Sequence, residues 1–184
     1  LELGFRKEIE FDRKKGEMKF FGMRHIIIDE KFLLEMLKEF ESYEGLIAKA
    51  KIYKACKKAA KEYYDELLSK SAITDVIAKF HWGRNELVRQ IQPLWSDYGF
   101  GVIENITFEK ELVRMRIRNN IFARTHHPSP IPVCYFTQGF FAGMVSQIYN
   151  KDYDCIETKC IAMGDAHCEF IAQPAELIKK EKGK

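Results

Sequence analysis

YFTQGFFAGMVSQIYNKDYDCIETKCIAMGDAHCEF, residues 135–170, is the stretch on which the fold of this chain turns. Its first half reads as a helix running from Cys134 to about Asn150, with Gly139, Ala142 and Gly143 gathered in one patch. Residues that small let another backbone come close. Its second half reads as two strands, Cys155–Met163 and Cys168–Ala172, joined by a turn around Gly164-Asp165. Three of the five cysteines fall between positions 155 and 168, with a glutamate, an aspartate and a histidine among them.

Cys134, Glu157, Cys160 and Cys168 are the candidate metal ligands, with Cys155 as a spare thiol. Zinc takes four ligands in a tetrahedron, and a hairpin can offer two thiolates from neighbouring strands. A turn over residues 164–166 puts Cys160 and Cys168 side by side on one face. Glu157 is three positions from Cys160, and a regular strand points such residues to opposite faces. A bulge or kink is therefore expected near Thr158-Lys159 to re-aim one of them. Cys134 must arrive from the helix, so a metal here clamps helix to hairpin. Three thiolates and a carboxylate around a dication leave a net charge of about −2, for which Lys159, His167 and the turn amides are the expected donors. Inert buried thiols and a redox pair are the competing readings, because cysteine also serves as a small hydrophobe. The chain has no CxxC pair, which weakens the thioredoxin-like and zinc-ribbon alternatives.

The GFFAG helix (139–143), the C-x-E-x-x-C segment (155–160) and the GDAHCEF ending (164–170) together resemble the 4-vinyl reductase domain family. That family includes sensor domains of aromatic-hydrocarbon-responsive activators, and its fold is related to trafficking-complex subunits. The resemblance implies structural zinc on Cys134, Glu157, Cys160 and Cys168. It also implies a hydrophobic pocket between helices and a curved sheet for a small apolar or aromatic ligand. The family's first long helix carries glycines where this chain has Ala55, Ala59 and Ala60. The family name points to reduction of a tetrapyrrole vinyl group, and the trafficking relatives point to a structural adaptor. Both stand as alternatives to a non-catalytic binding domain. The chain offers no GxGxxG, no flavin-type phosphate loop and no cluster of acid, base and nucleophile.

Upstream, FRKEIEF and EMKFFGMRHIII flank DRKKG and read as a hairpin within residues 1–29, an N-terminal extension. The ligand-binding domain then spans 30–175, and a basic, frayed tail covers 176–184. Phe32, Leu33, Met36, Leu37 and Phe40 mark a first helix stopped by Gly45. A longer helix, about Leu46 to Leu68, sets Ile52, Tyr53, Cys56, Ala59, Ala60, Tyr63 and Leu67 opposite a lysine face that includes Lys57. Helices over Ser71–Phe80 and Arg84–Tyr98 follow, the second with Pro93 as a kink or early stop. Two alternating strands come next, with Val102, Ile106 and Phe108, then Leu112, Met115 and Ile117, facing inward. Residues 119–133 hold three prolines and no period, the mark of a long loop serving as a lid or connection. The fold class is α+β: an antiparallel meander sheet with helices on one face and a zinc-clasped C-terminal hairpin.

Lys and Arg outnumber Asp and Glu by 30 to 27, too small a surplus for a nucleic-acid-binding face. No run is long and apolar enough to span a bilayer, and no signal peptide opens the sequence, which begins with Leu. The expected setting is the cytoplasm, where thiols stay reduced. His81, Trp82, Trp95 and Phe100 are the candidate pocket residues, in an aromatic-rich middle beside the strand pair. Core packing for Trp82 and Trp95 and an exposed position for His81 are the plainer readings. His126 and His127 fall in the proline loop, and His25 reads as a satisfied core or edge histidine. A homodimer is expected, from apolar surface left over on the N-terminal hairpin and the helices.

Overall fold

The computed structural model describes residues 9–124, 126 and 128–182. The N-terminal segment forms three strands, not two: β1 (Ile9–Asp12), β2 (Glu17–Phe20) and β3 (Met23–His25). They lie antiparallel in the order β1-β2-β3. The expected second strand breaks because Phe21 and Gly22 both take positive φ and turn the chain back. Residues 1–8, the start of the expected hairpin, lie outside the described residues.

Helix α1 (Glu30–Glu44) starts at Asp29, whose carboxylate accepts from the Phe32 amide. Helix α2 (Leu46–Ser69) follows directly after Gly45. Then come α3 (Ser71–Phe80) and α4 (Arg84–Asp97), which runs through Pro93. Strands β4 (Val102–Glu109) and β5 (Leu112–Arg118) form a hairpin. The register shifts between Ile103 and Asn105, so the bulge at Glu104 turns Ile103 and Ile106 together into the core. Val102, expected inside, is exposed for that reason, and on β5 the buried set is Val113, Met115 and Ile117.

The proline loop is not a free lid. Ile121–Arg124 is a single helical turn, α5, and Ile121, Phe122 and Ala123 are buried. Asn120, fully buried, accepts from the Phe122 amide and donates to Thr137 Oγ1, which ties this turn to the next helix. Helix α6 (Tyr135–Tyr149) leads to β6 (Tyr153–Lys159), a 3₁₀ turn over Ile161–Met163, β7 (Cys168–Pro174) and α7 (Ala175–Lys182). The tail is therefore helical through Lys182, with Ile178 buried. The main sheet is antiparallel in the order β4-β5-β7-β6, because α6 carries the chain across to the far edge before β7 returns between.

Helices α2 and α6 make the most intimate pair in the molecule. Gly139 and Gly143 sit directly against α2: a Cβ on them would stand 2.3 Å from the Tyr53 carbonyl and 2.2 Å from the Lys57 carbonyl, respectively. The glycines of α6 alone permit this approach; α2 contributes Cys56 and Ala60 at the same contact. Lys57, expected on a solvated face, is drawn in instead. Its Nζ lies 2.8 Å from Asp152 and 2.7 Å from Asp154, closing the seam between α2 and β6. His25 behaves as expected of an edge histidine, with Nδ1 2.9 Å from the Met23 carbonyl and its ring stacked on Tyr98.

Candidate metal centre and interior cavity

Cys134 is the residue immediately before α6, and its thiol points into the molecule with no solvent exposure. Its sulfur lies 3.9 Å from that of Cys160 and 3.8 Å from that of Cys168. A tetrahedral zinc with bonds of about 2.3 Å to sulfur sets neighbouring sulfurs about 3.8 Å apart. Ligand atoms of Cys134, Glu157, Cys160 and Cys168 all lie within 4.8 Å of one another, and all four residues are buried.

The sequence reaches this geometry by the expected bulge. In the β6–β7 pairing, Glu157 faces Phe170 and Lys159 faces Glu169, leaving Thr158 as the extra residue. Glu157 and Cys160 thereby share a side despite their spacing. The strand ends earlier than expected, at Lys159; the 3₁₀ turn follows, and Gly164 with φ 96° closes it. Asp165 fastens the turn by accepting from the Cys160 amide at 2.8 Å.

One Glu157 oxygen accepts from the Cys134 amide at 3.0 Å, while the other, Oε1, is buried with no hydrogen-bond partner among the described residues. A buried carboxylate oxygen left unpaired is costly. A cation in the cluster satisfies it, and this is the test that the residues fit a metal. Without one, burial first and Cys160 second push the Glu157 carboxyl up to about 8. Burial, then hydrogen bonds with Cys160 and Cys168, push the Cys134 thiol up as well. Cys160 is the thiol held low, by hydrogen bonds from Cys134 and Cys168. A metal ion entering must displace those protons. The donors present are amides: Ile161 N–H points at Cys168 Sγ at 3.5 Å. Lys159 is exposed, and neither its side chain nor that of His167 makes a contact with the cluster among the described residues. Cys155 is buried but outside the cluster; its amide donates to the Tyr53 hydroxyl.

A second feature lies in the core. Trp95 and Ile91 of α4, Ile103 and Ile106 of β4, Met115 of β5, and Phe140 and Met144 of α6 surround a cavity of about 20 Å³. That is room for one water. Its walls are apolar except at Gln92, which donates to the Ile103 carbonyl, and at Trp95. The Trp95 indole N–H is buried with no hydrogen-bond partner among the described residues. Phe100 packs on Trp95 at 4.9 Å and continues through Phe122 and Phe136 toward Cys134. His81 is exposed at the end of α3, and Trp82 stacks on Phe80; neither lines the cavity. Sequence reasoning misses Gln92, Phe140 and Met144, although Gln92 stands one turn from Trp95, and Phe140 and Met144 flank the glycines. His127 lies outside the described residues. A wider surface groove of about 340 Å³ opens between α2 and β6, beside Tyr53 and Ile156. Among the described residues no helix is long and apolar enough to cross a membrane.

Residues 113–174 match the family model of the 4-vinyl reductase domain. An uncharacterized protein of Methanocaldococcus jannaschii is 32% identical over 146 residues, covering 76% of this chain and 59% of that protein. Another from the same organism is 27% identical over 93 residues, covering 50% and 56%. The chain thus spans between half and three-fifths of the length of these relatives. In fold, it is similar to the phenol-responsive sensory domain of the transcription activator PoxR with phenol. There the TM-score is 0.73 at 16% identity, over 94% of this chain and 87% of that one. A vinyl-4-reductase family protein from Methanocaldococcus jannaschii follows at TM-score 0.55 and 16% identity, covering 82% and 83%. A trafficking protein particle complex subunit 3 from Naegleria fowleri, covalently bound to palmitic acid, has TM-score 0.53 and 18% identity, covering 78% and 89%. Residues 113–174, which include the helix, the bulged hairpin and all four clustered side chains, are a 4-vinyl reductase domain.

Proposed function

We propose that this chain is a small-molecule-binding domain of the sensor type, non-catalytic by itself, that takes a compact apolar or aromatic ligand between α4, α6 and the β4–β5 hairpin. The observation that carries the reading is the Trp95 N–H, a buried donor aimed into apolar surroundings with nothing to receive it. Such a group favours a ligand with one acceptor oxygen on a hydrophobic body, and a mostly apolar site with few polar groups is the usual form of a ligand pocket. The PoxR domain, described with phenol, shares the fold and adds support. The cavity must widen to admit such a molecule, and Met115 and Met144 in its wall are the side chains best able to repack.

In this reading the cluster of Cys134, Glu157, Cys160 and Cys168 holds zinc as a structural clasp. Four protein ligands leave no open position for a reacting water. The ligand-binding unit is residues 30–175, and the reduced thiols suit the cytoplasm. Isothermal titration with phenol, cresols and indole is the test. Binding should weaken about tenfold in Trp95→Phe, the loss of one hydrogen bond of about 1.4 kcal/mol. No heat from any of these compounds, or equal affinity in the variant, refutes the assignment.

A structural adaptor is the second reading, and the small volume of the interior is the observation that favours it. It is distinguished by the same titration, since an adaptor's core stays closed to every compound. Action on a tetrapyrrole is disfavoured by that volume too; spectral change on adding a vinyl tetrapyrrole is its test.

A further inference from the structure

Helix α1 is apolar on two sides. Leu34 is buried, and Leu33, Leu37 and Glu41 turn toward the body, where Glu41 meets His126 at 3.3 Å and Lys49 at 3.8 Å. At about 100° per residue, Phe32, Met36, Phe40 and Tyr43 fall within one arc of about 80° on another side. Phe32 is 62%, Phe40 58% and Tyr43 80% exposed. Only the remaining third of the circumference, with Lys31, Glu35, Lys38 and Glu39, is polar. A helix apolar over most of its girth belongs in an interior.

Just before α1, the chain carries three consecutive isoleucines in extended form. They continue β3, the open edge of the three-stranded sheet, past its last pairing with β2. Ile26 is 78% and Ile27 81% exposed, and no backbone hydrogen bond from residues 26–28 is found among the described residues. An unpaired β-branched edge is a template for another strand.

From these two features we infer that the Ile26–Ile28 edge and the outer face of α1 form a docking surface for a second copy of this chain. The edges pair antiparallel across a two-fold axis, and the α1 stripes cover one another. A copy suits the surface for three reasons. An antiparallel edge is complementary to itself, as a two-fold interface requires. The polar flank mixes both signs, so it neither repels a copy nor selects a strongly charged partner. Finally, Ile26, Ile27, Phe32, Met36, Phe40 and Tyr43 expose roughly 700 Å² together, at ~200 Å² for a fully exposed side chain, close to the ~800 Å² each partner gives to a standard interface. Nothing in this interface depends on what the interior cavity binds.

Sedimentation equilibrium of the full chain between about 5 and 100 μM is the experiment. The expected mass is twice the chain's 21.6 kDa. Phe40→Lys with Tyr43→Lys should raise the dissociation constant at least ~100-fold, and Ile27→Pro, which removes a strand donor, at least ~10-fold. Far-ultraviolet circular dichroism checks that each variant is folded. Amide exchange on the unmutated chain supplies a second readout, with protection at residues 26–28 expected at high concentration and lost on dilution. A mass of 21.6 kDa throughout overturns the proposal. So does a dimer that survives both variants, and so does concentration-independent protection, which assigns the edge to the chain's own first eight residues.

Discussion

Replacing Gly143 with alanine sets two well-measured effects against each other. In an isolated helix the change stabilises by about 1 kcal/mol, because glycine loses more backbone freedom on folding than alanine. In this molecule the added methyl would meet the Lys57 carbonyl at 2.2 Å, the Ala60 methyl at 2.9 Å and the Lys61 amide at 3.0 Å. Two of the three are backbone atoms that cannot swing aside. Relief requires α2 and α6 to part by about 1 Å, the gap between 2.2 Å and an ordinary contact. Overpacking of this kind costs typically 1–3 kcal/mol, more when backbone must move. Parting the helices also stretches the Lys57 and Tyr53 bonds to Asp154. The expected net loss is about 2–3 kcal/mol, a drop in Tm of roughly 5–10 °C for a chain of this size. Urea unfolding and calorimetry measure it, with Gly83→Ala as the control, since nothing lies within 4 Å of a methyl there. A Gly143→Ala protein as stable as the parent, or more stable, would mean that α2 and α6 are not in backbone contact.

The remaining predictions concern charge and metal. Burial raises the Glu169 carboxyl, but hydrogen bonds from Arg116 and Thr158 and the charge of Arg114 outweigh it and hold it below its ordinary value. Its contribution is therefore complete above about pH 4.5 and lost as pH falls through the lowered value. Glu169→Gln should cost about 1–2 kcal/mol at neutral pH, and the gap to the parent should close on acidification; a gap unchanged at pH 3 counts against the pairing. Protein purified without added metal should contain about one zinc per chain, none in Cys160→Ser with Cys168→Ser. The protons held by Cys134 and Glu157 in the metal-free cluster compete with the ion, so loss to a chelator should quicken as pH falls from 8 to 5.5. A release rate independent of pH argues against thiolate and carboxylate ligands.

The cluster is legible in the sequence because its chemistry is confined to few residue types. Cys134, Glu157, Cys160 and Cys168 stand out by kind, and their three-residue conflict with strand alternation calls for the bulge at Thr158. The α2–α6 contact is legible in part, since Gly139 and Gly143 advertise a close approach without naming what approaches. The cavity is much less so. Trp95 stands out as an aromatic, but Gln92, Phe140 and Met144 meet it only through the crossing of elements some fifty residues apart. The N-terminal reading fails at Phe21-Gly22, where a turn hides inside an apolar run.

What the sequence determined alone was local: helix and strand periods, the αL turn at Gly164, and the donor set of a candidate metal centre. These depend on a residue and its near neighbours, within the reach of a turn or a hydrogen bond. The tertiary structure decided which of two apolar faces of α1 meets the body, that Lys57 is drawn into the α2–β6 seam, and that Trp95 holds an unanswered proton donor. Those outcomes depend on what a side chain meets from distant parts of the chain, and burial of a polar atom has no cost or meaning until the surrounding elements have excluded water.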